Sequence, residues 1–452
     1  MTADPDQNSR GSLRWFPAAA ALVTLVALAM RGIYLIGADT PIQIAGDIND
    51  YVNYARNLGE YGVYSSSAPS AAAPTPDGFR PPGYPLFLLL PMKLAGFGPA
   101  WLPGAQALQV LFSSATVLLT MILGREWLKP GFAVAAGALL AVWPHHVVFA
   151  STLLSETMLG FSVVLALWLT AVAWRRQSPW LALAAGLAFG YASLVNTLVV
   201  LFPVALVALG LLRRHPKIPL TLAAGLVAVM AAWSTVSPAQ VEGSRSNAHR
   251  AQMNFVQGSW PLYHAAWRAR RQHESAQKVI EAIDEEIILV TQSPREGLAA
   301  IHSRVAHAPL RYASWYLLEK PFLLWDWDIR LGSGGFHFLP PRASPYDNQP
   351  VFRATATMLR LGNPLLFALA GLAALACSRG WLPKSSIPFA PVMVATFVVY
   401  VTLVHTILQA EPRYSIPYRP EQLLLAMGGL SLLSSATVRL IAWTSRRWKG
   451  NE

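Results

Sequence analysis

Ten long apolar runs separated by short polar segments dominate the sequence. They cover residues 15–36, 105–124, 131–149, 155–174, 180–194, 197–212, 217–236, 358–377, 386–408 and 418–443. A membrane-spanning helix needs about 20 predominantly apolar residues, so this pattern predicts an all-α polytopic membrane protein of about 10–11 spans. The eleventh run, 84–97, is short and contains Pro85 and Pro91. We interpret it as a re-entrant or interfacial segment, because a further span would break the alternation of sides.

Composition supports a membrane protein and excludes a nucleic-acid partner. Charged residues make up 13% of the 452 residues, against roughly 25% in soluble domains. The net charge is +12, but basic pairs such as Arg175-Arg176 and Arg213-Arg214 follow apolar runs, as the positive-inside rule expects. The single cysteine, Cys377, excludes an intramolecular disulfide and a cysteine-cluster metal site.

The basic clusters fall on one side of the membrane and predict a cytoplasmic location for both termini. The predicted segments are a cytoplasmic N-terminus (1–14), a first span (15–36), an extracytoplasmic catalytic loop (37–104), a helix bundle (105–236), a large extracytoplasmic loop (237–357), C-terminal spans (358–443) and a cytoplasmic tail (444–452). Within the large loop, residues 264–290 have a helical composition, and we interpret Trp325 and Trp327 as aromatics of the membrane interface.

The first loop carries the residues with the clearest chemical meaning. Gly46-Asp47-Ile48-Asn49-Asp50-Tyr51 follows the first span, and Arg80-Pro81-Pro82-Gly83-Tyr84-Pro85 lies about 30 residues later. A carboxylate beyond a membrane helix can act as a base. An arginine on a proline-stiffened turn can bind phosphate oxygens with two parallel hydrogen bonds. Together these groups are suited to a phosphate-linked lipid donor at a membrane surface.

The motifs and their order resemble the GT-C superfamily of membrane glycosyltransferases. The branch concerned contains protein O-mannosyltransferases and bacterial aminoarabinose transferases, of the glycosyltransferase family 39 type. The matching features are the Asp47 loop with its Asp-x-x-x-Tyr-x-x-x-Ala spacing, Arg80-Pro81-Pro82-Gly83-Tyr84-Pro85, Ser155-Glu156 at a helix start, and Glu411-Pro412-Arg413-Tyr414-Ser415-Ile416-Pro417 before the last helix. The resemblance implies a GT-C-like helix bundle with two large extracytoplasmic loops.

The residues and the resemblance together give a predicted site. The predicted catalytic residues are Asp47, as the base, with Asp50 and Glu156. The predicted donor-phosphate ligands are Arg80, Arg413 and Tyr414, and the predicted substrate-binding residues are Tyr51, Tyr84 and His146. We expect the membrane interface to raise the pKa of Asp47 toward a useful value.

Each assignment has a simpler alternative. Asp47 is equally suited to be the N-cap of a helix over 48–58, and Glu156 to be a stabilising acid at a helix N-terminus. Arg80 and Arg413 are also typical interfacial anchors. His145 and His146 with Glu156 could bind a divalent ion, although their spacing matches no known metal motif, and we assign no metal ligands.

The expected activity is an inverting transfer of a sugar from a polyprenyl-phosphate donor to an extracytoplasmic lipid, glycan or protein acceptor. The resemblance implies that no cofactor is required and that a divalent metal is possible. The expected partners are the donor, the acceptor and membrane lipids, and the expected location is the bacterial inner membrane with the active site on the extracytoplasmic face. Two alternatives remain open: a lipid-linked-sugar flippase or transporter, and a non-catalytic membrane partner of a glycan assembly system.

Overall fold

The computed structural model describes residues 5–40, 46–69, 73–237, 246–382 and 385–449. The outer ends of the two predicted cytoplasmic segments, 1–4 and 450–452, lie outside these ranges. Within them the chain forms helices joined by loops, with isolated β-bridges such as that between Asp39 and Ala343. The predicted all-α polytopic class is confirmed.

Each predicted apolar run corresponds to a helix. The ten helices are Pro5–Gly37, Trp101–Gly124, Pro130–Ala141, Glu156–Arg176, Pro179–Val195, Phe202–Leu212, Lys217–Val236, Pro350–Ser378, Phe389–Ile407 and Arg419–Lys449. Among the described residues, six helices are long and apolar enough to cross a membrane: Trp15–Gly37, Trp101–Gly124, Glu156–Arg176, Lys217–Thr235, Pro350–Trp381 and Phe389–Ile407. Four apolar helices are shorter: Gly83–Ala95, Pro130–Ala141, Pro179–Val195 and Thr197–Leu212.

Two predicted helices are broken in the structure. The run 131–149 divides at Val142 and Trp143, because Pro144 disfavours helical backbone in the residue before it and begins a new helix. The stretch 264–290 forms two helices that are interrupted after Ala269. The second helix begins at Glu274, and an acid in the first turn interacts favourably with the helix dipole.

The remaining helices lie in the loops and around the site. They are Asp47–Tyr61, Gly83–Ala95, Pro144–Phe149, Asn247–Gly258, Tyr263–Ala269, Glu274–Gln292, Pro294–His307, Pro309–Ser314, Lys320–Leu324, Pro345–Asn348 and Pro412–Ser415. Short 3₁₀ turns occur at Thr197–Leu201, Arg379–Trp381 and Ile416–Tyr418, and a π-helical turn at Trp315–Glu319. Gly83–Ala95 has 13 residues and is about 20 Å long, shorter than the roughly 30 Å hydrocarbon core.

The large loop folds into a helical unit with its own core. Ile280, Ile283, Ile287 and Val290 recur at helical spacing and pack with buried residues of the neighbouring helices. This unit meets the bundle where Gly258 touches Leu408: a Cβ on Gly258 would lie 2.2 Å from the Leu408 carbonyl oxygen. The unit therefore covers the end of the helix Phe389–Ile407.

Two tryptophans expected at the membrane interface are buried instead. Trp325 is 2% exposed and Trp327 is 4% exposed. The indole of Trp325 donates to Thr402 Oγ1 at 3.0 Å, and the Trp327 ring packs edge-on against His145. The prediction was wrong because sequence position at a loop end did not reveal that this segment folds back into the bundle.

Close packing of the helices Pro179–Val195 and Lys217–Val236 depends on glycine. A Cβ on Gly186 would lie 2.1 Å from the Leu222 carbonyl oxygen, and one on Gly225 would lie 2.7 Å from the Leu183 carbonyl oxygen. Small residues allow such close backbone approach between membrane helices. The pair therefore sets the separation of these two helices.

We expect Gly186→Ala to lower the midpoint of thermal unfolding, because the added methyl would meet backbone of the facing helix. Gly371→Ala is the matched control, since nothing lies within 4 Å of its Cβ position and alanine is favoured over glycine in helices by about 1 kcal/mol. Thermal unfolding in detergent or nanodiscs compares the two. Equal midpoints would show that this contact does not constrain the bundle.

Candidate active site

Five charged side chains from distant parts of the sequence meet in one cluster. Arg80 Nη2 lies 2.6 Å from Asp47 Oδ1 and 2.8 Å from Asp50 Oδ2. Arg413 Nη2 lies 2.6 Å from Asp47 Oδ2, and Arg413 Nε lies 2.7 Å from Glu156 Oε1. We call these five residues the charged cluster. Asp47 is at its centre and contacts both arginines.

The helix Asp47–Tyr61 presents the two aspartates. Gly46 precedes it with φ 57°, a conformation that favours glycine, and Gly46 occupies the N-cap position. Asp47 is thus the first helical residue and not the cap, and its carboxylate is directed to the arginines. Asp50 follows almost one turn later, so both carboxylates reach Arg80 from the same helix end.

Arg80 is held by two stacked tyrosines. The Tyr64 hydroxyl donates to the Arg80 carbonyl oxygen at 2.9 Å, and the Tyr54 hydroxyl accepts from the Phe79 backbone N–H at 3.0 Å. The rings of Tyr54 and Tyr64 stack with centroids 4.2 Å apart. With Pro81 and Pro82 restricting the following backbone, the direction of the Arg80 side chain is fixed.

Arg413 is positioned by the buried acid two residues before it. Glu411 Oε1 accepts the backbone N–H groups of Arg330 and Leu331 at 2.6 and 3.1 Å. Its other oxygen lies 3.3 Å from His264 Nε2 in the large loop. Glu411 thereby anchors the segment that carries Arg413 to two loops, and Pro412 starts a short helix there.

The charges in the cluster shift the pKa of each central group. Burial alone would raise the pKa of the Asp47 carboxyl, but the charges of Arg413 and Arg80 outweigh burial and hold the pKa well below its usual range. The expectation of a raised value was wrong, because the sequence did not reveal the two cations. For Arg80 and Arg413, burial lowers the pKa, but the carboxylates raise it above the ordinary value.

The sign of this shift fixes the state of Asp47. A carboxyl whose folded pKa is depressed stabilises the fold above its unfolded pKa of about 3.9, and loses that contribution as pH falls through the folded value. At neutral pH, Asp47 is therefore anionic. While both arginines hold it, Asp47 is a weak proton acceptor.

A cavity of about 580 Å³ opens at the charged cluster. Its walls differ in chemistry. One wall is charged and includes Asp47, Arg80, Glu156 and Arg413. A second is apolar and includes Leu159, Leu198, Val200, Leu201, Val404 and Leu408. A third is the helix Asn247–Gly258 with Asn247, Arg250, Asn254 and Gln257. The cavity thus combines a charged end, an apolar side and an amide-rich side.

The other predicted site residues divide between the cavity and the core. Tyr51 and Tyr414 line the cavity; the Tyr51 hydroxyl donates to Ser155 Oγ at 3.2 Å and that of Tyr414 to Gln409 Oε1 at 3.1 Å. Tyr84 and His146 are not among its lining residues. The Tyr84 hydroxyl donates to Gln109, 2.5 Å away, and His146 Nε2 lies 2.8 Å from the Ile416 carbonyl oxygen. Their positions indicate a packing role.

The sequence reasoning missed Arg250 and the three amides beside it. Arg250 lines the cavity, and within the described residues its side chain makes no hydrogen bond or ion pair. A signal was present, because Asn247, Arg250, Asn254 and Gln257 recur at steps of three and four and so share one face of a helix. These four residues lie far along the chain from the recognised motifs, so this pattern was not connected with the site.

The donor set does not fit a divalent metal in this arrangement. Among the described residues, no group of three or more His, Cys, Asp or Glu side chains is arranged to hold a metal ion. Both oxygens of Asp47 are bound by guanidinium groups, and Arg413 lies between Asp47 and Glu156. A cation there would face two positive charges, so we derive no step through a metal.

A family model described as dolichyl-phosphate-mannose-protein mannosyltransferase matches residues 79–238. The matched part contains Arg80 and Glu156, whereas Asp47 and Arg413 lie outside it. No curated protein matches the chain in sequence.

The fold of this chain is similar to that of solved oligosaccharyltransferase structures over nearly its whole length. The oligosaccharyltransferase of Archaeoglobus fulgidus, in complex with Zn and sulfate, aligns with a TM-score of 0.54 and 12% identity over 94% of this chain and 50% of that chain. The archaeal oligosaccharyltransferase AglB from Archaeoglobus fulgidus, in complex with an inhibitory peptide and a dolichol-phosphate, aligns with a TM-score of 0.51 and 11% identity over 96% of this chain and 52% of that chain. ArnT from Cupriavidus metallidurans, bound to undecaprenyl phosphate, aligns with a TM-score of 0.41 and 16% identity over 93% of this chain and 60% of that chain.

The chain spans about half the length of these oligosaccharyltransferase structures. At such low identity the alignments show a shared fold, and the family model adds a match in sequence over about a third of the chain. Taken together, the family model and the fold confirm the predicted resemblance of this chain to the GT-C superfamily of membrane glycosyltransferases.

Proposed function

We propose that this protein is an inverting membrane glycosyltransferase that takes its sugar from a polyprenyl-phosphate donor. The observation that carries the proposal is the charged cluster at the end of a cavity with an apolar wall. Phosphate recognition needs guanidinium groups, an isoprenoid chain needs apolar surface, and acceptor activation needs a carboxylate. All three are present within one cavity. The resemblance to GT-C glycosyltransferases and the integral-membrane fold support the same reaction class.

The proposed reaction is a direct displacement at the anomeric carbon of the sugar. The acceptor oxygen or nitrogen forms a bond to that carbon while the bond from the carbon to the phosphate oxygen breaks. The bonding pair leaves with the polyprenyl phosphate, and the acceptor's proton passes to Asp47. One displacement without an enzyme nucleophile inverts the configuration. The arginines stabilise the charge that develops on the departing phosphate.

The charged cluster also suggests how the base becomes active. The donor phosphate is an anion, so it competes with the carboxylates for Arg80 and Arg413. Arg250, which lines the cavity and whose charge also acts to lower the pKa of Asp47, is suited to contact the phosphate first. When an arginine turns from Asp47 to the phosphate, the positive charge that depresses the pKa of Asp47 is withdrawn and that pKa rises. Donor binding would thereby prepare the base for the acceptor.

We propose the extracytoplasmic face of a bacterial inner membrane as the location of this chemistry. The charge pattern of the sequence supports this orientation, because the basic clusters flank the apolar runs on the opposite side. The acceptor would then be a lipid, glycan or protein on that face.

Arg80→Ala is expected to weaken the binding of undecaprenyl phosphate to the purified protein in nanodiscs by about tenfold or more, since it removes a charge-assisted contact of about 1.5–3 kcal/mol. Arg80→Lys should recover part of the affinity, because it keeps the charge but loses the planar fork. Arg56→Ala is the control, because Arg56 lies on the helix Asp47–Tyr61 but pairs with Glu60 away from the cavity. Equal affinity in wild type and Arg80→Ala would remove the phosphate role of Arg80.

A further inference from the structure

The cavity wall formed by the helix Asn247–Gly258 carries side-chain amides that form no hydrogen bond to the part of the chain that the structure describes. Asn247, Asn254 and Gln257 face the cavity, and within the described residues their side chains make no hydrogen bond. Free amides offer both donors and acceptors. Such groups on one face of a helix are typical of a surface that binds a polar ligand.

Two buried atoms in residues that line the cavity also lack partners. Gln409 is 3% exposed and lines the cavity, and its amide nitrogen makes no hydrogen bond although it lies near the Tyr263 hydroxyl. Glu156 Oε2, on the charged wall, is likewise buried without a partner. Buried polar atoms are nearly always satisfied in folded proteins. Both residues line the same cavity, so a polar ligand held there is a source of the missing hydrogen bonds.

The chemistry of this wall distinguishes between classes of sugar. Among the described residues that line the cavity, the acids are Asp47 and Glu156, and both are bound by arginines. The amide wall carries one charge, the cation Arg250. An ammonium group on a sugar would find in this cavity no acid that is not already paired with an arginine, and it would be repelled by Arg250. Hydroxyl groups can both donate to and accept from amides.

We propose that Asn254, Gln257 and Gln409 form the sugar subsite of the donor cavity and that this subsite selects a neutral, hydroxyl-rich sugar over an amino sugar. Asn247 and Arg250 extend the same face toward the donor phosphate. The side chains of Tyr263 and Trp267 complete the lining of this part of the cavity. This inference rests on the proposed function, because it assumes that a polyprenyl-phosphate sugar occupies the cavity.

The test measures equilibrium binding of three ligands to the full-length protein in nanodiscs: undecaprenyl phosphate, undecaprenyl phosphate carrying a neutral hexose, and undecaprenyl phosphate carrying an amino sugar. Wild type should bind the hexose form more tightly than the amino-sugar form. The double variant Asn254→Ala, Gln257→Ala should weaken binding of the hexose form by about tenfold or more, since each lost hydrogen bond costs about 1 kcal/mol. Binding of sugar-free undecaprenyl phosphate should stay unchanged.

Gln252→Ala is the matched control, because Gln252 lies on the same helix but outside the cavity lining. Gln257→Glu should shift preference toward the amino-sugar form, since it places an anion on the amide wall. This gain of binding keeps the proposal testable even if the double variant is unstable. The midpoint of thermal unfolding, measured for each variant, shows whether the double variant is unstable.

Three results would overturn the subsite. They are unchanged hexose-form binding in the double variant, equal weakening for the hexose form and sugar-free undecaprenyl phosphate, and tighter binding of the amino-sugar form by wild type. A different result would contradict the proposed function itself: wild type would bind none of the three lipids. The subsite proposal would then be wrong as well, because it rests on that function.

Discussion

Asp47→Asn is expected to lower glycosyl transfer by at least about 100-fold, because it removes the carboxylate that accepts the acceptor's proton. The amide has nearly the same shape and can still accept a hydrogen bond from one arginine. Donor binding should therefore remain close to that of wild type, or strengthen, since an anion that competes with the phosphate is lost. Initial rates and donor affinity of the purified protein, measured side by side, separate the two effects.

Asp50→Asn is the control variant for the Asp47→Asn prediction. Asp50 also contacts Arg80 but is not among the residues lining the cavity, so its substitution should reduce transfer far less. Near-normal turnover in Asp47→Asn would exclude Asp47 as the base and shift the role to Asp50 or Glu156. Glu156 is the stronger substitute, because it lines the cavity, whereas Asp50 is not among the lining residues.

Arg413→Ala is expected to have the second large effect, on both activity and stability. Arg413 joins Asp47 to Glu156 and is largely buried, with 12% side-chain exposure. Removing it leaves the buried carboxylate of Glu156 unpaired, and breaking such a pair typically costs about 3–5 kcal/mol. Transfer should fall along with donor affinity, because charge on the departing phosphate is no longer neutralised.

Arg360→Ala provides a control for the stability part of this prediction. Arg360 pairs with Asp328 at 3.1 Å, but both side chains are exposed, and exposed pairs contribute about 0–1 kcal/mol. Unfolding curves in the same detergent should therefore separate the two variants clearly. If Arg413→Ala unfolds like Arg360→Ala and retains activity, the charged cluster is not a unit and Arg413 is an interfacial anchor.

The sequence predicted the fold class and the main members of the site well, for physical reasons. Long apolar runs can satisfy their backbone in a bilayer only as helices, so composition and run length were sufficient for the architecture. Asp47, Asp50, Arg80, Glu156 and Arg413 came from motifs far apart in the chain, and the structure places all five in one cluster.

The sequence could not predict the ion pairs of the charged cluster or the cavity wall formed by the helix Asn247–Gly258. The pKa of Asp47 depends on which cations the fold brings to it, and that is a tertiary property. Tyr84 belongs to the motif that contains Arg80, and His146 lies near Glu156 along the chain. Position in the sequence does not determine which way either side chain points. Arg250 and the amides beside it lie in a loop helix whose docking against the bundle depends on long-range contacts such as that between Gly258 and Leu408.

The central claim is that this chain consumes a polyprenyl-phosphate sugar through the charged cluster. Lipid extracts of cells lacking the gene test it most directly. We expect a single polyprenyl-phosphate monosaccharide to accumulate, to disappear when the wild-type chain is restored, and to persist when Asp47→Asn is supplied at the same membrane level. Unchanged lipid-linked sugars in the deletion, or full clearance by Asp47→Asn, would contradict the account.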